Sequence, residues 1–239
     1  MTLFNPNPTI RIVPIPGHKP CIVIDDFLLD PQSAMDFADH QQQHFTAAPK
    51  NAFPGLEMRM PDDFSSLLND FFILHIKKLL GARRTLSMFS RLSMITLQPH
   101  ELAPNQRICH QDQLTEFPQL CFAASVLYLF KNPAMGGTSF YAPKVSPSEI
   151  ERLSSASSAS LTATLPEPEP GAQDHTYITQ SSAQFELICT IPAVWNRVIF
   201  YDGRIFHSGH ITNPELLSSN PTQGRLTLNG FFPCRKSGS

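Results

Sequence analysis

From Phe89 onward the chain is broken into short runs of β-branched and aromatic residues, each closed by turn-forming residues. The runs fall at 88–98, 122–130, 138–141, 185–191, 197–201, 204–207 and 225–232. A chain cut this way has no room for long helices and must pair its strands. Two helices are expected ahead of the runs, after an apolar strand at 21–27. Asp30-Pro31 starts the first, over 31–45, because an Asp cap accepts backbone N–H bonds and Pro at the first helical position lacks only a donor the helix does not need. In the second, Phe64, Leu67, Leu68, Phe71, His75 and Leu79 follow helical spacing, with Asp62 and Asp63 at its start and Gly81 after its end. Seven or eight strands after two helices predict a mainly β fold: an antiparallel barrel or jelly roll buttressed by N-terminal helices.

Composition narrows the class. The 239 residues suit one large domain, and 18 Phe exclude a disordered chain. A net charge of −2 gives no pull toward nucleic acid or an anionic membrane. No apolar run reaches the ~18 residues of a membrane span. The five scattered cysteines form no CxxC pair, so they read as reduced thiols of a cytoplasmic protein. Prolines, 22 against 11 glycines, concentrate in residues 1–20 and in 142–176. The latter stretch is rich in Ser and Ala with alternating Pro and Glu, and should be a mobile insertion, either a lid or a spacer. The chain therefore reads as a single domain, 1–239: a Pro-rich segment at 1–20, strand and supporting helices at 21–88, and a jelly-roll core at 89–233 that carries the insertion.

The chemistry lies in His110-Gln111-Asp112 and in His207. In a strand, His110 and Asp112 share a face, and a histidine from a later strand can meet them inside a barrel. Two imidazoles and one carboxylate make a facial set that holds Fe(II) and leaves positions open. Asp202-Gly203 reads as a type I′ hairpin turn that places His207 on the returning strand. Arg225 and Thr227 share a face of the last strand, where a guanidinium and a hydroxyl can receive a carboxylate. Competing readings are His210 in place of His207, a His100-Glu101 pair, and Arg107 and Arg204 as contacts for an anionic substrate, against ordinary surface arginines. Cys109 should be a core thiol, and Gln111 and Gln113 flank the candidate ligand.

The order His110-x-Asp112, then Val126-Leu127-Tyr128-Leu129, then Gly136-Gly137-Thr138-Ser139-Phe140, then Asp202-Gly203 and His207-Ser208-Gly209, then Arg225-x-Thr227 resembles the Fe(II)/2-oxoglutarate-dependent dioxygenases. The prolyl-4-hydroxylase-like branch is the most similar. The resemblance runs from about residue 89 to 232 and implies a double-stranded β-helix of the cupin-like kind. It implies His110, Asp112 and His207 as catalytic metal ligands, Arg225 as partner of the distal carboxylate of 2-oxoglutarate, and Thr227 and Tyr128 as hydroxyls beside it. It implies O₂ as cosubstrate, ascorbate as a stimulant, and hydroxylation of an amino-acid, peptidyl or other small-molecule C–H bond with release of succinate and CO₂. The 18-residue step from His207 to Arg225 is longer than the family usually has, and the excess at 213–223 reads as an extended loop. Two alternatives stand beside this reading: a non-catalytic jelly-roll binding protein, and a cupin-type iron dioxygenase that does not use 2-oxoglutarate. Substrate identity, oxidative outcome and oligomeric state are left open by these residues.

Overall fold

A computed structural model describes residues 3–47, 53–112, 119–155 and 176–237. In chain order the elements are β1 (Ile10–Val13), β2 (Cys21–Ile24), α1 (Pro31–His40), β3 (Thr46–Ala47), β4 (Gly55–Arg59), α2 (Asp62–Phe71), β5 (Ala82–Thr85), β6 (Phe89–Ile95), β7 (Leu120–Tyr128), β8 (Thr138–Pro143), α3 (Pro147–Ser155), β9 (Phe185–Ile191), β10 (Val198–Asp202), β11 (Phe206–Gly209) and β12 (Arg225–Lys236). The strands form two antiparallel sheets. The larger runs β1-β2-β10-β7-β12-β6-β4-β3, with β5 also on β12, and the smaller runs β11-β8-β9. Neighbours in the sheets are mostly distant in sequence, and the two sheets face each other through one apolar cluster. Tyr128, Ile199 and Tyr201 from the large sheet meet Phe140 and Ile191 from the small one. This is the expected jelly roll.

The other face of the large sheet is closed by the helices. Leu68, Phe71, Phe72 and Ile76 pack on Leu92, Phe200, Leu226, Leu228 and Phe232. Phe72 stacks on Phe232 with ring centroids 4.2 Å apart. Because β2 is sandwiched, Ile22 and Ile24 enter this helical core while Cys21 and Val23 enter the inter-sheet core, which explains an apolar run without alternation.

The helices depart from the simple periodic reading. Asp30 caps α1 as expected, its carboxylate accepting the Ser33 amide at 3.1 Å and the Ser33 hydroxyl at 2.6 Å. However, α1 ends at His40 and a 3₁₀ turn, Gln42–His44, follows. After α2 comes a π-helical turn, Phe72–Ile76, closed by the Lys77 amide on the Phe72 carbonyl at 2.9 Å. One extra residue in the turn carries the buried stripe onto Phe72, Ile76 and Leu80 and leaves Leu79 exposed, while Leu67, ahead of the turn, is exposed beside the buried Leu68. The Pro-rich N-terminal segment also takes part: Phe4 stacks on Phe27 at 4.8 Å and β1 edges the sheet. Within the stretch read as unable to order itself, Pro147–Ser155 forms α3, whose Leu153 is buried. Residues 156–175, the remainder of the expected insertion, lie outside the described residues. All five cysteines are free.

Asn196 joins β2 to β10. It sits at φ 61° and is buried, its Oδ1 accepting the Leu28 amide at 2.9 Å and its Nδ2 donating to the Leu28 carbonyl at 3.0 Å. We expect Asn196→Ala to cost about 3 kcal/mol, from two lost hydrogen bonds and a Cβ-bearing residue held in the left-handed region without side-chain compensation. Asn196→Gly should cost about 1 kcal/mol less, because glycine accepts that φ. Urea unfolding of the two variants checks the order.

Candidate metal and ligand site

His110 and Asp112 follow two 3₁₀ turns, Pro99–Glu101 and Pro104–Gln106, on a segment that is extended but not part of a named strand. Backbone pairing with the β10–β11 hairpin fixes them. The His110 amide donates to the His207 carbonyl at 3.0 Å, the His207 amide returns the bond at 2.9 Å, and the Asp112 amide donates to Gly203 at 2.8 Å. Extended pairing with alternate residues inward brings the three side chains together as the spacing predicts. One ligating atom from each of His110, Asp112 and His207 lies within 4.8 Å of the others.

The hairpin itself differs from the expected type I′ turn, since neither Asp202 nor Gly203 has a positive φ. Instead the Ile205 amide bonds the Asp202 carbonyl at 3.0 Å, and the Asp202 carboxylate holds the Arg204 guanidinium at 2.6 Å. Glycine is required at 203 for closeness: a Cβ there would stand 2.9 Å from Asp112 Oδ2 and 2.8 Å from the Phe122 ring.

The electrostatics suit a cation. His207 Nδ1 lies 2.9 Å from the Ile205 carbonyl, which can only accept, so Nδ1 carries the proton and Nε2 presents its lone pair 3.5 Å from Asp112 Oδ2. Burial holds His207 and His110 neutral, each down to about 4 from 6.5, the nearby His207 adding to the effect on His110. Burial raises the Asp112 carboxyl from 3.8 to about 6, against the lowering influence of His110 and Arg91. Asp112 Oδ2 is buried with no hydrogen-bond partner among the described residues. A desolvated carboxylate oxygen facing two imidazoles is an arrangement that a divalent cation satisfies.

The donors line a cleft between the sheets whose wall also includes Arg91, Thr138, Tyr177, Arg225, Thr227 and Asn229. Arg225 is buried, with Nε bonded to the Met135 and Gly136 carbonyls at 3.1 and 3.2 Å, Nη2 to Gly137 at 2.8 Å, and Phe130 5.4 Å away. Those carbonyls belong to the turn before β8, where Gly136 has φ 80° and a Cβ would collide with the His210 carbonyl. Burial lowers Arg225 to about 10, still charged at neutral pH, and no acidic residue pairs with it among the described residues. Thr227 is beside it, its hydroxyl donating to the Ser93 carbonyl at 3.3 Å.

Tyr128 is fully buried and pairs across the strands with Thr227, its hydroxyl donating to Thr138 Oγ1 at 2.8 Å, and Thr138 lines the cleft. The competing candidates fall outside the cluster. His210 Nδ1 is engaged by Ser139 Oγ at 2.9 Å, His100 and Glu101 sit in a 3₁₀ turn, and Arg107 bonds the Leu102 carbonyl. Cys109 is buried in a small apolar cluster, and the Gln111 side chain donates to the Arg204 carbonyl. Gln113 lies outside the described residues. Sequence reasoning passed over Asn229 and Phe231, although two further steps of alternation from Arg225 and Thr227 reach them, and Arg91 and Tyr177, which no local pattern marks.

The family model of DUF6445, a family of unknown function, matches residues 6–232. No curated protein matches the sequence. Among solved structures the fold is similar to a Pseudomonas putida prolyl-4-hydroxylase, with 13% identity over 93% of this chain and 95% of that one and a TM-score of 0.47. It is similar to HygX from Streptomyces hygroscopicus, solved with nickel and 2-oxoglutarate, with 10% identity over 90% and 82% and a TM-score of 0.48. EvdO2 from Micromonospora carbonacea var. aurantiaca shows 9% identity over 93% and 89% with a TM-score of 0.46.

The raised Asp112 carboxyl has a measurable consequence. The unfolded chain releases this proton near 3.8 and the folded one near 6, so the folded chain holds the extra proton in between and this group's contribution falls as pH rises through that window. The two imidazoles act oppositely, losing stability as pH falls from 6.5 toward 4. Asp112→Asn should therefore stabilise chelator-treated protein by ~2 kcal/mol above pH 7, with the gain vanishing near pH 4. Urea titrations across pH check it.

Proposed function

We propose that this chain, which belongs to the family of unknown function DUF6445, is an Fe(II)- and 2-oxoglutarate-dependent oxygenase that hydroxylates a C–H bond of a small-molecule or peptidyl substrate. The observation that carries the reading is the pairing, in one cleft, of a His-Asp-His donor set with a buried guanidinium that no acid among the described residues neutralises. An uncompensated buried cation is costly unless an anion reaches it. A molecule that both chelates a metal and extends a second carboxylate answers both ends, which favours a 2-oxo diacid over a purely structural role or an iron enzyme without that cosubstrate.

In this reading His110, Asp112 and His207 hold Fe(II). When bound, the iron supplies the centre at which O₂ and 2-oxoglutarate are converted to succinate and CO₂ while the substrate C–H becomes C–OH. The chain's part is to bind and orient. Arg225 receives the distal carboxylate, held in place by the carbonyls of Met135, Gly136 and Gly137, with Thr227 on the same face. Tyr128 contributes indirectly by fixing the Thr138 hydroxyl. Ile205 keeps His207 in the tautomer that offers Nε2, and the rings of Tyr201 and Phe140, 4.8 and 6.4 Å from the imidazole, exclude water from one side. The five free thiols accord with a reducing, cytoplasmic setting.

Purified protein with Fe(II), ascorbate and 2-oxoglutarate should form succinate slowly without added substrate, and Asp112→Ala should abolish it. Equal succinate from that variant would sink the reading. Arg225→Ala should raise the half-saturating 2-oxoglutarate concentration about 100-fold, with metal binding retained. Arg225→Lys, which keeps the charge but loses the fork, should fall between the two.

A further inference from the structure

The cleft has a second polar wall that the cosubstrate reading leaves unused. On the inner face of the large sheet Asn229 of β12 and Arg91 of β6 are directly paired across the strands, as are Glu57 of β4 and Ser93 of β6. Arg91 Nη1 donates to Glu57 Oε2 at 2.9 Å, Ser93 Oγ donates to Glu57 Oε1 at 3.4 Å, and Asn229 Nδ2 donates to Ser93 Oγ at 3.0 Å. The carboxylate makes Ser93 a donor toward Glu57, so Ser93 accepts from Asn229, and this fixes which way the Asn229 amide points. Phe231 lies 4.5 Å beneath the Arg91 guanidinium and stacks on Phe89 at 4.8 Å, which holds the plane of the guanidinium.

Two atoms are left over. Arg91 Nε and Asn229 Oδ1 are both buried without a hydrogen-bond partner among the described residues, and both residues line the cleft with His110 and Asp112. One is a donor and the other an acceptor, on residues directly opposite each other. A buried hydrogen bond left unmade is costly, so two on paired residues of a cleft wall mark a place where a ligand completes the network.

Charge decides what kind of ligand. Arg225 has no acid beside it among the described residues and calls for an anion, whereas Arg91 is already paired with Glu57 and their charges cancel. A carboxylate at Arg91 would compete with Glu57 and stand near Asp112. A neutral group that offers one acceptor and one donor on the same side matches both atoms without adding charge. That description fits an amide edge: the C=O and N–H of one residue in an extended peptide, or those of a lactam.

We infer that Arg91 and Asn229 form the substrate-recognition wall of this cleft and take an amide edge, the carbonyl oxygen accepting from Arg91 Nε and the N–H donating to Asn229 Oδ1. This rests on the oxygenase reading only in calling the ligand a substrate. Glu57 and Ser93 are positioning residues that act through these two.

The test measures binding by ligand-observed NMR on protein loaded with Zn(II) and 2-oxoglutarate, which does not turn over. N-acetylalanine N-methylamide probes the peptide source and 2-pyrrolidinone the lactam source. Their matched controls are N-acetyl-N-methylalanine N-methylamide, which lacks the alanine N–H, and γ-butyrolactone, which lacks the ring N–H. Wild-type protein should prefer at least one N–H-bearing probe over its control by about tenfold, and whichever probe shows the preference identifies the source. Asn229→Leu should erase that preference, and Arg91→Lys should weaken probe and control alike, because both compounds keep the carbonyl. No preference in wild type overturns the inference, as does a preference that survives Asn229→Leu or binding of both compounds that Arg91→Lys leaves unchanged. If either variant fails to fold, the wild-type comparison between probe and control decides alone. Substrate-free succinate formation is read separately on wild type, so an active oxygenase without amide preference defeats this inference only, and amide preference without succinate defeats the oxygenase reading only.

Discussion

The large sheet is buried on both faces, and this constrains everything else in the molecule. Strand β12 shows the consequence most directly. Leu226, Leu228 and Phe232 enter the core beneath the helices, while Arg225, Thr227, Asn229 and Phe231 line the cleft. Because the side-chain period is two, a one-residue slip of this strand would send a guanidinium into the helical core and leucines into the cleft. The site therefore inherits its register from the apolar packing behind it. Phe72 against Phe232, and Leu68 against the glycine at 230, hold the strand that presents Arg225 on its other side.

Within that frame, two kinds of hydrogen bonding build the cleft. Backbone reciprocity between His110 and His207 sets the donor atoms, and it needs no particular side chain, so a segment outside any regular strand carries two candidate ligating groups with strand-like geometry. Side-chain networks set the rest: the carbonyls behind Arg225 at one end and the Glu57, Ser93 and Asn229 chain along the wall. The two arginines differ in one respect that matters chemically. Among the described residues Arg91 has its carboxylate in place, and Arg225 has only neutral carbonyls.

Much of this was legible in the amino-acid order because period-two alternation is local. His110 with Asp112, and Arg225 with Thr227, need only the assumption of extended backbone to be put on one face. The strand at 185–191 stands where its composition puts it. What escaped reading depends on contacts between distant segments. The π-helical turn arises where Phe72 and Ile76 must meet a sheet formed more than a hundred residues later, and helical spacing alone points to Leu67 and Leu79 instead. Tyr128 lies on the expected inner face, yet its hydroxyl is taken by Thr138, and that bond depends on how the small sheet packs. Gly203 looks like a turn former and acts as clearance for Asp112, a distinction visible only once the two segments are juxtaposed.

The long connection between His207 and Arg225 repays a closer look. It is not slack: Gln98 donates to the Pro214 carbonyl at 3.0 Å, Asn213 donates to Ala134 at 2.9 Å, and Gly224 returns to Asn220 at 2.7 Å before β12 begins. His207 stands on the small sheet and Arg225 on the large one, but the turn before β8 couples them: it holds the Arg225 guanidinium, receives the Asn213 side chain from the connection, and leads into the strand that pairs with His207. One short turn thus sets the distance between the two ends of the cleft, and a change in the connection reaches both ends through it.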